Sequence, residues 1–309
     1  MDYIKEKLLQ IEITIDKIHS QLIEEFFLKS GAYGNHELLY QENLTNNLNN
    51  NSTVLYFFFP ANFPANAFLP MAQLILKIDF KYTIEEVQYQ DYIKEFEKSF
   101  ATFSLSKNML LIPPWQLDDI KKTQQSNKKY IILRPGLAFG TGKHITSQLM
   151  TQYIENNVTE KDSVFDLGTG SGILALVCAS CKSPKVLAID IERLAIESAK
   201  DNLSLNQNQA IKPNINFDVG SFDYFDKHNI EYSYDIFIAN ILTAIFIKNK
   251  KYLKRYLDSS MKWALSGIPN HEKELFTNFL TNELGIAKNN FQIIEKDEWC
   301  IFFTNATVK

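Results

Sequence analysis

The spacing of apolar residues changes part-way along the chain, and the change divides it. Residues 7–14 (KLLQIEIT) alternate and predict a strand. Asp16 then caps a helix through about Gly31, with Ile18, Leu22, Ile23, Phe26 and Phe27 on one face. The Asn-rich run 46–52 predicts an exposed loop, and the apolar run 53–59 a strand. The stretch 66–80 is ambiguous, although Pro70 suits the first turn of a helix. Residues 83–89 alternate again and predict a strand. These elements make a small α+β unit over residues 1–90, and the charged stretch 91–104 reads as a helical linker.

Residues 105–309 follow another rhythm. Strands are predicted at 109–112, 130–133, 163–167, 185–190, 214–219, 234–239 and 261–266, with two more at 291–296 and 299–304. Helices are predicted at 145–156, 172–182, 192–206, 243–257 and 271–283. Strands alternating with helices imply an α/β domain with a mostly parallel, Rossmann-like sheet covered on both faces. There is no internal repeat.

Composition narrows the function classes. With 32 basic and 36 acidic side chains the net charge is −4, which excludes a protein held to nucleic acid mainly by neutralising phosphates. Net charge leaves room for a local basic patch; the expectation is that no direct nucleic-acid binding is required. Three cysteines build no disulfide framework and fit a reducing compartment. Met1–Gln10 carries charges throughout and lacks the apolar core of a signal peptide. No stretch approaches the roughly 20 apolar residues of a membrane span. A cytoplasmic protein with no membrane partner is expected.

The richest segment is Val164-Phe165-Asp166-Leu167-Gly168-Thr169-Gly170-Ser171-Gly172, which runs from strand through a glycine turn into a helix. Such a turn at the carboxyl edge of a parallel sheet lets a ligand approach the backbone. The following strand ends at Asp190, where a carboxylate can accept from both ribose hydroxyls of an adenosine. The spacing is GxGxG and not the GxGxxG of dinucleotide sites, which favours S-adenosylmethionine over NAD. Gly168, Gly170 and Asp190 are thus candidate cofactor-binding residues.

Two further segments carry a family resemblance: Arg134-Pro135-Gly136-Leu137-Ala138-Phe139-Gly140-Thr141-Gly142-Lys143-His144-Ile145-Thr146-Ser147 and Asp235-Ile236-Phe237-Ile238-Ala239-Asn240-Ile241-Leu242. With the glycine loop, Ser266-Gly267-Ile268 and Glu298-Trp299, the chain resembles the bacterial ribosomal protein L-eleven methyltransferase family over roughly residues 109–304. The resemblance implies a seven-stranded class I methyltransferase sheet using S-adenosyl-L-methionine. It also implies a large-subunit ribosomal protein as the partner whose amino groups are methylated. The amino-terminal unit stands where the family has its substrate-recognition domain. Thr146, Ser147, Gly168, Asp190 and Asn240 are implied to contact the cofactor or the target amine, with Asn240 as the catalytic residue. The chain departs from the family pattern at Arg134 (usually Asp), Lys143 (Thr), Ile145 (Pro) and Ser147 (a second Thr), and at Thr243-Ala244-Ile245.

Competing readings attach to single residues. Asn240 either aims the target amine or caps the helix that follows. His144 is either a general base or a loop histidine bonded to backbone. Asp166 either meets a methionine amino group or braces the loop, and Asp223 either approaches adenine or is exposed. Cys178 and Cys181 form a CxxC inside a helix without partner ligands, so no metal site is expected. Tyr56 to Phe59 reads as core strand. For the whole chain the alternatives are a lysine methyltransferase for a non-ribosomal protein, a nicotinamide oxidoreductase and a non-catalytic adenosine-binding protein.

Overall fold

A computed structural model describes residues 7–32, 34–37, 52–88, 100–118, 128–134, 141–207 and 214–304. The chain divides into two compact units, Met1–Phe100 and Ala101–Lys309.

The first unit is a four-stranded antiparallel sheet carrying helices. Its elements are β1 (Lys7–Asp16), α1 (Ser20–Lys29), β2 (Gly34–Glu37), β3 (Ser52–Pro60), α2 (Ala65–Leu76) and β4 (Lys81–Gln88), with strand order β2-β3-β1-β4. The alternation of β1 puts Ile11, Ile13 and Ile15 on the core face, and Ile11 and Ile13 stand opposite Phe57 and Leu55 of β3. Phe27 of α1 closes on Phe57 with ring centroids 4.4 Å apart. The helical face differs from the expected one. Ile23 and Phe27 are fully buried, whereas Ile18 is 79% and Leu22 48% exposed. The reason is a 3-10 turn at Lys17–His19, capped by Asp16, which puts Ile18 out of phase with the α-helix starting at Ser20. Pro70 is not in the first turn of its helix. α2 opens at Ala65 after Pro64, so Pro70 lies in the interior, where it withholds one N–H from the helix ladder. The Asn-rich run 46–52 lies outside the described residues up to Ser52, the first residue of β3.

The 91–99 part of the expected helical linker also lies outside the described residues. Its last part is not helical: Phe103–Ser104 form β5, paired with Leu111 and Leu110 of β6 (Met109–Ile112). β6 pairs in parallel with β7 (Lys129–Ile132), giving a separate three-stranded sheet. The strands expected at 109–112 and 130–133 therefore exist but do not join the main sheet.

The main sheet is built from the remaining elements of the second unit. These are α3 (Ile145–Asn157), β8 (Val164–Leu167), α4 (Ile173–Ser180), β9 (Val186–Asp190), α5 (Arg193–Asn206), β10 (Ile215–Val219), α6 (Tyr224–Lys227) and β11 (Ile236–Asn240). α7 (Thr243–Lys248), α8 (Lys250–Ser259), β12 (Lys262–Pro269), α9 (Lys273–Asn278), β13 (Gln292–Lys296) and β14 (Trp299–Phe303) follow. The order is β10-β9-β8-β11-β12-β14-β13, parallel up to β12 and antiparallel beyond it. From β8 the chain steps outward through β9 and β10, then returns to the other side of β8 with β11 and β12. That reversal makes the β8/β11 junction a topological switch point, where open α/β sheets bind ligands at the carboxyl ends of their strands. The helix expected at 243–257 is two helices, broken at Asn249, whose Nδ2 donates to Ile245 O at 2.8 Å. The helix expected to reach residue 283 passes into a π turn at Phe279–Glu283.

An aromatic core around Phe165, Phe237 and Tyr256 fixes one face of this sheet, with Phe165 and Phe237 stacked at 5.6 Å. Each such ring buries apolar surface at about 25 cal/mol per Å². At the start of β12, Lys262 Nζ is buried, donates to Asn157 O at 2.5 Å and pairs with Asp162 Oδ2 at 3.2 Å. Asp162 Oδ2 also accepts from the Thr159 amide and hydroxyl.

Removing the cation leaves the buried carboxylate without its counter-charge. Lys262→Met is expected to lower unfolding free energy by about 3–5 kcal/mol. Urea denaturation followed by circular dichroism measures this, and a loss below about 1 kcal/mol would mean the pair is solvated in solution.

Candidate functional site

β8 ends at Leu167, and the chain turns at Gly168 with φ 76°. Two demands meet there. The positive φ suits glycine, and a Cβ would lie 2.4 Å from Cγ2 of Ile241, the residue after β11. The amides of Gly168 and Thr169 both donate to Ile189 O, at 2.8 and 3.0 Å, which binds the turn to β9. Gly170 N then donates to Asp190 Oδ2 at 2.9 Å, and Glu192 N to Asp190 Oδ1 at 3.0 Å. Each Asp190 oxygen so engaged keeps a second lone pair. Burial raises the Asp190 pKa, and the amides from Glu192 and Gly170 oppose that rise. Asp166 is fully buried beneath the loop. Its Oδ2 accepts from Thr169 Oγ1 at 2.6 Å, while Oδ1 has no hydrogen-bond partner. Burial pushes its pKa up to about 7, the Thr169 bond opposes this, and the Asp190 charge adds to it.

On the other side of β8, Asn240 ends β11 in register with Ser266 of β12. Its Nδ2 donates to Thr146 Oγ1 at 3.1 Å, so its side chain reaches across to α3. α7 begins after Leu242 without any side-chain cap, so capping is not what the Asn240 side chain does. Thr146 and Ser147 are both buried in the first turn of α3. Ser147 Oγ has no hydrogen-bond partner, and neither has the buried Thr243 Oγ1 at the start of α7. His144 is the N-cap of α3: its Nδ1 accepts from Thr146 N at 3.3 Å and lies 2.8 Å from Thr146 Oγ1. Burial lowers the His144 pKa to about 4, so the ring is neutral at physiological pH. It meets Trp299 edge-on at 4.8 Å. His144, Trp299, Lys143, Asp297 and Glu298 line a cleft of about 510 Å³, and burial lowers the Lys143 pKa.

The candidate residues therefore form two groups. Gly168, Gly170 and Asp190 lie on the β8–β9 side, and Asn240 and Thr146 meet on the β11 side, with Ser147 next to Thr146. Ile241 against Gly168 joins the two sides. Asp223 lies at the start of α6, three residues after Gly220, whose amide donates to Asp190 O at 2.8 Å. It pairs with Lys227 at 3.1 Å, yet its Oδ1 is buried without a hydrogen bond. Cys178 is buried within α4 and Cys181 ends it, both as free thiols whose pKa burial raises. Among the described residues no group of three His, Cys, Asp or Glu is placed to hold a metal.

Two residues of the site escape the sequence reading. Asn202 of α5 accepts from Arg134 N at 2.8 Å and donates to Ser171 O at 3.0 Å, which ties the residue before Pro135 to the glycine loop. Asn206, one turn on, accepts from Ile132 N and donates to Ile132 O, completing the edge of β7. The available signal was two asparagines at i and i+4 on the face of α5 that also carries Ala195 and Ala199.

Comparison with known proteins adds a consistent set of relatives. A family model described as Ribosomal protein L11 methyltransferase (PrmA) matches residues 7–307. The chain is 30% identical to a ribosomal protein L11 methyltransferase of an Exiguobacterium strain over 198 residues, 64% of this chain and 60% of that protein. It is 29% identical to one from Caldicellulosiruptor bescii over 229 residues, 74% of this chain and 69% of the relative. A crystal structure of ribosomal protein L11 methylase from Lactobacillus delbrueckii subsp. bulgaricus superposes with a TM-score of 0.54 at 26% identity, over 67% of this chain and 99% of that one.

The buried Asp166 carboxyl, with one oxygen unmatched, has a measurable consequence. Its pKa of about 7 in the folded state stands above the ordinary 3.8, so the folded chain holds a proton that the unfolded chain has released. Stability then falls as pH rises from roughly 4 to 7. Asp166→Asn removes that slope, and its stability relative to the unsubstituted chain is expected to grow across the window. Urea unfolding without cofactor tests this, and a constant difference from pH 4 to 7 would mean the carboxyl titrates normally.

Proposed function

The chain belongs to the ribosomal protein L11 methyltransferase family, and from that premise we propose that it is an S-adenosylmethionine-dependent protein-lysine N-methyltransferase. Its substrate on this reading is L11 of the large ribosomal subunit, methylated on lysine and amino groups in the cytoplasm. One observation carries the proposal. Asp190 and Asn240 end the strands on either side of β8, whose own end is the Gly168 turn. An adenosine-holding acid and an amine-aiming amide thus flank one crevice.

The polar atoms left over in that crevice fit the cofactor. Asp166 Oδ1 is a buried acceptor suited to an ammonium, and Ser147 Oγ a buried hydroxyl able to donate or accept. The free lone pairs of Asp190 suit ribose hydroxyls. When bound, the cofactor supplies an electrophilic methyl group on a positively charged sulfur. The chain must present a neutral amine to it, so positioning dominates. Deprotonating a free lysine at pH 7 costs roughly 4.6 kcal/mol, about 3.4 units at 1.36 each. A desolvated site disfavours the ammonium and offsets part of that cost. In our reading Asn240 accepts an N–H of the target amine and aims its lone pair. Residues 1–90 recognise the protein substrate, and residues 105–309 carry out transfer. Lys143, lining the cleft beside His144, favours a second reading in which the substrate is a different lysine-bearing protein. Mass spectrometry of ribosomal proteins from a strain lacking this chain decides between them. L11 losing its methyl groups supports the first reading, and unchanged L11 supports the second.

Two substitutions separate binding from transfer. Asp190→Ala is expected to weaken S-adenosylmethionine binding at least tenfold in calorimetry, from the loss of buried acceptors at about 1–3 kcal/mol. Unchanged affinity in a folded variant would reject the ribose-binding role. Asn240→Ala is expected to slow single-turnover methylation by about 2.7–4 kcal/mol, by analogy with oxyanion-hole donors, at nearly unchanged cofactor affinity. A wild-type rate with saturating cofactor from pH 7 to 9.5 would show that the amine is aimed by another acceptor.

A further inference from the structure

We propose that Thr146 and His144 are positioning residues that lock the Asn240 amide in one orientation, with its carbonyl oxygen presented to the target amine. The proposal rests on the role given to Asn240 above. A primary amide has two nearly isosteric ends, one accepting and one donating, and only the oxygen can accept an amine N–H. A site that left the amide free to turn over would offer the amine a donor part of the time. Three hydrogen bonds remove that freedom.

The network starts at the backbone. The Thr146 amide can only donate, so the ring nitrogen it meets at 3.3 Å, His144 Nδ1, carries a lone pair and no proton. The ring proton therefore sits on Nε2. Thr146 Oγ1 lies 2.8 Å from the same Nδ1. Two lone pairs at that distance would repel, so the hydroxyl points its proton at the ring. Its oxygen is left as an acceptor toward Asn240 at 3.1 Å, and an acceptor takes the NH2 end of the amide. Oδ1 is then turned away from Thr146. Among the described residues the Asn240 side chain makes no other hydrogen bond, which leaves Oδ1 for the target. Burial that depresses the basicity of His144 keeps the Nδ1 lone pair in place at neutral pH. With Nδ1 engaged and Nε2 protonated, His144 does not take the proton of the target amine. Thr146, 1% exposed, acts through Asn240 on this account and not by touching the methyl donor.

The first test needs neither cofactor nor substrate. Long-range 1H–15N spectra of the full chain, with His144→Asn as the assignment control, should show His144 with Nδ1 unprotonated and Nε2 protonated from pH 6 to 8. An Nδ1-protonated ring, or a charged one, would overturn the network. The second test separates positioning from binding. Thr146→Val keeps the volume and removes the hydroxyl. It should slow single-turnover methylation by about tenfold or more while cofactor affinity stays within about twofold, and Thr146→Ser should restore the rate to within about threefold. Combined with Asn240→Ala, Thr146→Val should cause no further loss. His144→Asn keeps an N-cap acceptor and should retain most of the rate, whereas His144→Phe should behave as Thr146→Val. A loss of cofactor affinity in Thr146→Val would make Thr146 a cofactor ligand, and an inactive His144→Asn would make His144 the base. Either result overturns the proposal. A wild-type chain inert toward L11 would instead overturn the functional reading, and an active chain whose Thr146→Val variant keeps its rate overturns this inference alone.

Discussion

Ile241 is wedged between two glycines, and the geometry of the crevice depends on that fit. On one side a Cβ at Gly168 would stand 2.4 Å from its Cγ2, and on the other a Cβ at Gly267 would stand 2.4 Å from its carbonyl oxygen. Both glycines have positive φ, 76° and 82°, so neither site accommodates an L side chain without strain as well as collision. The residue before Ile241 is Asn240. Holding Ile241 this closely sets the end of β11 against the glycine turn, and with it the spacing between the amide and the Asp190 carboxylate beyond the turn. Interiors are close-packed and transmit small displacements, so an ångström lost here would be felt at both side chains.

Around this fixed junction the polar groups divide by whether their partners are internal. Some shape the loops from within: Asn202 bonds Arg134 and Ser171, Asp162 bonds Lys262 and Thr159, and Asp190 takes the amides of Gly170 and Glu192 while keeping lone pairs to spare. Among the described residues five buried side chains carry an unmatched atom, and three of them, Asp166 Oδ1 in β8, Ser147 Oγ beside Thr146 and Thr243 Oγ1 after β11, belong to the segments that form the crevice. Leaving a buried polar atom unmatched costs about 1–3 kcal/mol. That cost falls where a polar ligand would recover it.

The second unit was largely legible in the sequence because its signals are local. A strand, a glycine turn and a helix, followed by a strand ending in an acid, are written in consecutive residues, and β8, α4 and β9 appear within a residue or two of the expected positions. What escaped was pairing. Short apolar runs mark 109–112 and 130–133 as strands but do not name their partners, and they pair with each other and, through β6, with Phe103–Ser104. Ile18 was misplaced because a 3-10 turn of three residues precedes α1 and breaks the helical stripe there. Within the site, Asn240 and Thr146 were each visible as motif residues, yet the bond between them spans 94 positions and no local pattern encodes it. Asn202 and Asn206 escaped for the same reason: their partners are backbone groups on other elements, and backbone carries no sequence signature.

The three thiols bear on chemoselectivity. A sulfonium methyl group is a soft alkylating agent, and a thiolate is ordinarily the strongest nucleophile a protein can set against it. Cys178 lies one turn from the end of the helix that the glycine loop opens, and its thiol is held well above the ordinary range by burial, with the charges of Asp166 and Cys181 adding to the rise. Burial also raises Cys181, and it pushes Cys300 up to about 12. At neutral pH all three sulfurs are thus protonated. On the proposed reading, the domain that handles the alkylating group keeps its own sulfur unreactive, and nitrogen is left to compete for the methyl without a thiolate rival.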